Sequence, residues 1–141
     1  MGKYFTISEL TYSSTAKKHK IDNTPSEEEI KHLEELIVEI DGLRAAWGSA
    51  LIVSSGFRCS KLNELVGGAK KSGHQTGYAV DLIPANNKKR EFYEFCKEYF
   101  KDKDFDELLL EKNSKGSVWT HFSLKSFDGK QRKKVKELEV K

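Results

Sequence analysis

Asp81 stands inside the apolar run Tyr78-Ala79-Val80-Asp81-Leu82-Ile83, and no other feature constrains the chain as strongly. The run alternates as a strand, and an ionised carboxylate in a buried strand must be paired or bound to a metal. Two histidines are the candidate partners. His74 lies seven residues upstream in Ser72-Gly73-His74-Gln75-Thr76-Gly77, and His121 lies in the second alternating run, Trp119-Thr120-His121-Phe122-Ser123. Alternation puts Ala79, Asp81 and Ile83 on one face of their strand and Trp119, His121 and Ser123 on one face of theirs, so rigid sheet would carry two of the three ligands. Gly73 and Gly77 let the loop bend so that the His74 imidazole swings back over Asp81. Two imidazoles and one carboxylate, with no fourth obvious protein donor, leave an open coordination position, which a catalytic zinc needs and a structural zinc avoids. Zinc in such a site acidifies a bound water toward neutrality, so the pattern points to metal-assisted hydrolysis. Non-haem iron oxygenases use the same ligand types. Their first histidine and acid stand two residues apart in an all-β barrel, whereas here the gap is seven and helices flank the site, which favours Zn2+.

The rest of the chain gives these strands a setting. At 141 residues it is long enough for one domain with its own core. Lys and Arg number 25 against 22 Asp and Glu, a weak basic excess that implies no nucleic-acid partner. Cys59 and Cys96 cannot build a disulfide framework and fit synthesis in a reducing compartment. Cys59 as a fourth ligand would close the coordination sphere. No apolar signal region opens the chain and no run is long enough to span a bilayer, so synthesis in the cytoplasm without a signal peptide, and a monomer with no membrane span, are expected.

Thr24-Pro25-Ser26-Glu27 predicts a helix start, with Thr24 as N-cap, Pro25 first inside and Glu27 closing a capping box. Ile30, Leu33, Ile37, Ile40 and Leu43 form its buried stripe, with His32 on the polar side, away from any ligand role. Ala50–Ser54 reads as a buried strand, followed by a turn through Arg58 and a short helix from Ser60 to the Gly67-Gly68 stop. Asn86 or Asn87 caps a helix with Phe92, Phe95, Cys96 and Tyr99 on one face. Phe105–Glu111 and Val118–Leu124 make an antiparallel hairpin. The basic segment 126–141 is an edge strand or a frayed tail, so the domain proper is placed at residues 1–125.

Ser72-x-His74-x-x-Gly77-x-Ala79-x-Asp81 followed by Trp119-x-His121 resembles the zinc D-alanyl-D-alanine carboxypeptidase family, which includes small phage endolysins of the L-alanyl-D-glutamate peptidase type. Ser55-Gly56-Phe57-Arg58, Asn63 and Val66-Gly67-Gly68-Ala69 match the segment before the metal motif. The resemblance covers about residues 4 to 125 and implies a small α+β domain, an antiparallel sheet flanked by helices, as in the hedgehog signalling domain. It implies that His74, Asp81 and His121 bind zinc, that Arg58 orients substrate or stabilises developing negative charge, and that Ser72 hydrogen-bonds substrate. A guanidinium is chemically apt for that role, because it clamps a carboxylate or oxyanion with two hydrogen bonds. Many members carry an acid three residues before the last histidine, where this chain has Val118. Glu111 is the expected substitute as general base, since the hairpin brings the end of one strand beside the start of the next; Asp106 and Glu107 begin that strand and are weaker candidates. The expected function is hydrolysis of peptidoglycan stem or cross-bridge peptides next to a D-amino acid, on the cell wall after phage-type release or as a virion component. The alternative is a catalytically silent, zinc-stabilised domain that binds cell wall or protein.

Overall fold

In the computed structural model, which describes residues 2–140, the chain opens with two five-residue helices, α1 (Ile7–Thr11) and α2 (Ser14–Lys18). Hydroxyls of Thr6 and Ser13 cap them, but one turn of helix is too short for a 3.6-residue period to show in the sequence. Asp41 ties this segment down by accepting the backbone N–H groups of Lys3, Tyr4 and Phe5 at 2.7, 3.0 and 3.1 Å.

Helix α3 (Glu27–Trp47) begins two residues later than the sequence pattern predicts. Its N-cap is Ser26, and Glu29 returns the bond to the Ser26 N–H at 2.8 Å, completing a capping box. Thr24 is not free to cap, because Asp22 Oδ1 takes both its N–H and its hydroxyl, at 3.0 and 2.6 Å. The buried stripe is Leu33, Leu36, Ile37, Ile40 and Leu43, with Ile30 half-exposed at the helix entry.

Five strands form one sheet: β1 (Leu51–Ser55), β2 (Ala79–Pro84), β3 (Glu107–Asn113), β4 (Val118–Ser123) and β5 (Lys134–Val140), in the order β1-β2-β4-β3-β5. Neighbours are antiparallel except for β5, which runs parallel to β3. Thus the basic C-terminal segment supplies an edge strand. At the opposite edge, β1 is not the buried strand its composition predicts. Only Leu51 is buried and Ile52 is 51% exposed, since a short apolar run cannot by itself distinguish a central strand from an edge. Helix α4 (Ser60–Leu65) follows β1, and α5 (Lys89–Phe100) joins β2 to β3. No asparagine side chain caps α5: Asn86 accepts the Lys88 N–H in a tight turn and Asn87 takes a positive φ of 65°. Phe92, Tyr93, Cys96 and Phe100 are buried, while Phe95 and Tyr99 flank them.

The sheet has two unlike faces. Val80, Leu82, Leu108, Leu110 and Phe122 join the stripes of α3 and α5 in one core. The alternate residues, including Asp81, Glu107, Glu111, Trp119 and His121, point the other way, into a cleft of about 540 Å³. Two glycines position the loops beside it. Gly56 leaves no room for a Cβ against the Leu10 carbonyl, and Gly77 has φ of 91° with a Cβ position 2.8 Å from Glu29 O. Among the described residues, no helix is long and apolar enough to cross a membrane.

Because the cap is Ser26, Ser26→Ala should cost about 1 kcal/mol in urea denaturation, and Thr24→Ala distinctly less. Equal losses would show that Thr24 shares the capping role.

Candidate metal centre

Asp81 of β2 and His121 of β4 are direct partners across the sheet. Asp81 Oδ1 lies 2.9 Å from His121 Nδ1 and 3.4 Å from His74 Nε2. His74 arrives on a single turn, Gly73–Gln75, started by the Ser72 hydroxyl, which accepts the His74 N–H at 3.1 Å. Its Nδ1 is 2.7 Å from the Gly56 carbonyl. A carbonyl only accepts, so Nδ1 carries the proton and Nε2 presents its lone pair toward Asp81. On His121 the roles are reversed. Its Nε2 faces Glu107 Oε1 at 3.5 Å, which leaves Nδ1 on the Asp81 side.

Each of the three buried residues offers a donor atom, and those atoms lie within 4.8 Å of one another. A tetrahedral ion with donors near 2.1 Å sets them roughly 3.4 Å apart. The donor set therefore fits a divalent ion, and each imidazole is oriented from behind by an oxygen, as metal-binding histidines usually are. Cys59 is not part of the cluster. His32 is also elsewhere, with Nδ1 at 2.7 Å from Thr76 O and its ring stacked 4.1 Å from Tyr78, so it braces the loop that carries His74.

The charges are strongly coupled. Burial disfavours an ionised Asp81, but the hydrogen bond and positive charge of His121 act against it, and the carboxyl is held well below its ordinary range. Burial likewise disfavours a charged His121, yet hydrogen bonds to Asp81 and Glu107 push its pKa up to about 10. Burial pulls His74 down. These shifts favour a neutral His74, an ionised Asp81 and a protonated His121 at neutral pH.

Around this triad the cleft brings together the other candidates. Glu111 pairs with Trp119 across β3 and β4, and its Oε1 accepts the indole N–H at 2.7 Å. Burial, with the nearby Asp81 charge adding to it, raises the Glu111 pKa. Glu107 moves the opposite way, lowered chiefly by its hydrogen bond from His121. Asp106 does not line the cleft; it is buried against Arg132. Arg58 lines the cleft and donates its backbone N–H to His74 O at 2.9 Å. Among the described residues its Nε is buried without a hydrogen-bond partner, and burial lowers its pKa against the opposing pull of Asp81 and Glu111. Ser72 also lines the cleft.

The sequence reading missed the parts that orient the ligands. Period-two alternation through Glu107, Leu109 and Glu111 puts both glutamates on the metal face, and that signal singles out Glu107 as well as Glu111. Nothing in the sequence marks the Gly56 carbonyl. The family model described as Peptidase M15 matches residues 3–122. No curated protein matches the chain.

Metal uptake at neutral pH should release about one proton per ion, because His121 is protonated below its raised pKa while His74 and Asp81 already have free donors. Affinity should therefore rise with pH up to about 10. Calorimetry in buffers of different ionisation enthalpy measures the release; none at pH 7 would show that His121 is neutral in the metal-free protein.

Proposed function

The chain belongs to the Peptidase M15 family, and on that premise we propose that it is a zinc-dependent peptidase of the small endolysin type, cutting peptidoglycan peptides next to a D-amino acid. One observation carries the catalytic part: a carboxylate with a raised pKa, Glu111, and a guanidinium with an unpartnered buried nitrogen, Arg58, line the same cleft as a two-histidine, one-carboxylate donor set. The substrate class rests on the resemblance of the metal motif and its preceding segment to the D-alanyl-D-alanine carboxypeptidases. Two nitrogens and an oxygen suit zinc, and three protein donors leave a position for water or substrate.

When bound, zinc supplies a Lewis acid and an acidified water. His74, Asp81 and His121 would hold it, with Nε2, a carboxylate oxygen and Nδ1 as the donor atoms they turn toward one another. Glu111 takes the proton from the attacking water and passes it to the leaving amine as the peptide C–N bond breaks. Its raised pKa suits both halves of that task, and the Trp119 indole fixes its direction. Arg58 meets a substrate carboxylate or the developing oxyanion with N–H groups that no protein acceptor has claimed at Nε. The Ser72 hydroxyl already accepts from His74 N–H and retains its own proton to donate to substrate.

Glu111→Gln keeps shape and the acceptor for Trp119 but removes the base. Zinc content should stay at the parental level while turnover falls by roughly 10²–10⁴-fold, and the acidic limb of the pH–rate profile should disappear. That limb reports a carboxyl that must lose its proton to act, at a pH above the ordinary glutamate value because burial raises it. Arg58→Ala should leave stability within about 1 kcal/mol and depress turnover. The assay is mass spectrometry of purified muropeptides after incubation, which separates loss of a terminal residue from release of whole stems. A zinc-loaded parent that leaves every muropeptide intact would overturn the enzymatic reading in favour of a binding domain.

A further inference from the structure

The family match ends at residue 122, yet the segment beyond it reaches the metal centre. Arg132, just before β5, lays its guanidinium on the start of β3. Its Nε and Nη2 donate to the two oxygens of Asp106 at 2.8 and 2.9 Å, and its backbone N–H reaches Oδ1 at 3.2 Å. Asp106 is only 1% exposed, and the Ser123 hydroxyl adds another donor at 3.4 Å. A bidentate pair on a buried carboxylate fixes the plane of the guanidinium as well as its position.

The same Nη2 lies 3.4 Å from Glu107 Oε2. The other oxygen of that carboxylate, Oε1, faces His121 Nε2 at 3.5 Å. Lys134 Nζ, at 3.9 Å from Oε2, supports the same side. A glutamate on a strand face has several rotamers, and most would turn its carboxylate to solvent. Here cations from the C-terminal segment hold one oxygen so that the other meets the imidazole.

We propose that Arg132 is a positioning residue of the metal centre: anchored on Asp106, it orients the Glu107 carboxylate that keeps His121 turned with Nδ1 toward Asp81 and the ion. This inference rests on the metal-centre reading above. It makes the C-terminal strand a working part of the site. Arg132 touches neither ion nor substrate in this role; it acts through Glu107.

A purely structural role, fastening β5 to the sheet, is the competing explanation, and the fold contains a control for it. Arg90 of α5 makes another bidentate ion pair to β5, with Glu137 at 2.7 and 2.9 Å. Glu137 is in register with Leu110, whose side chain joins the helix-covered core, so this pair lies on the side of the sheet away from the cleft. Zinc affinity of the full chain, measured by chelator competition, distinguishes the two. Glu107→Gln should weaken zinc binding by about 10–100-fold and Arg132→Ala by a smaller factor, on the order of 3–10-fold. In the double variant the loss should be no greater than for Glu107→Gln alone, because both act on one imidazole. Arg90→Ala should bind zinc as the parent does. Parental affinity in Arg132→Ala, additive losses in the double variant, or an equal loss in Arg90→Ala would each overturn the proposal. If Arg132→Ala does not fold, Arg132→Lys is read in its place; it keeps a cation for Asp106 without the second arm toward Glu107, and the same loss is expected. A parent chain that binds no zinc at all would instead defeat the metal-centre reading itself.

Discussion

Burying the Asp81 carboxylate on an inner strand, where the residue is only 8% exposed, is a cost that the surrounding structure has to offset. The sheet answers with its own geometry. Period-two alternation sends Val80 and Leu82 into the helix-packed core and Asp81 to the other face, so one strand serves both hydrophobic burial and the polar centre. Register places His121 directly opposite, and the Gly73–Gln75 turn delivers His74 from the third side. In the metal-free protein a protonated His121 neutralises the carboxylate. A divalent ion bound between the same three residues would displace that proton.

The distribution of charge across β3 separates tasks that the sequence alone leaves undivided. Glu107 and Glu111 share a face, but their surroundings differ. Glu107 faces His121, Arg132 and Lys134, and its hydrogen bond from His121 leads in lowering its pKa. Among the described residues Glu111 has only the neutral indole of Trp119 as hydrogen-bond donor, and burial, with Asp81 adding to it, outweighs the opposing pull of His121 and raises its pKa. Carboxylates pushed apart in this way suit the two proposed tasks, one staying ionised to orient a partner and the other exchanging a proton. Asp106 takes neither role, because Arg132 and Ser123 saturate it.

The metal motif and the α+β layering were legible because they depend on local periodicity: alternation in β2 and β4, a helical stripe in α3, glycines around His74. What was not legible depends on contacts between distant residues. Thr24 looks like a cap until Asp22 is seen to occupy it, and β1 looks central until its neighbours are counted along the sheet. The charged run Lys134–Val140 carries no apolar alternation strong enough to declare a strand. It becomes one because β3 offers a free edge and because Arg132 finds a buried carboxylate there. The Gly56 carbonyl that sets the tautomer of His74 is a backbone group, and its position depends on the close approach of α1.

Arg58 is the residue whose placement makes least sense for the free protein. Its backbone is fixed by the bond to His74 O, and its side chain lies in a cleft with three carboxylates, Asp81, Glu107 and Glu111. None of them forms a salt bridge with it among the described residues, and its Nε is buried without an acceptor. A buried donor left unmade costs on the order of 1–3 kcal/mol. Such a cost is tolerable where an anionic ligand supplies the missing acceptor, and a carboxylate or an oxyanion formed beside the metal ligands would do so. Had Arg58 paired with Glu111, both would have been neutralised: the guanidinium would be unavailable to substrate and the glutamate too weak a base. Among the described residues the two form no ion pair, so the cleft that holds the donor set also holds a cation and a carboxylate that do not neutralise each other.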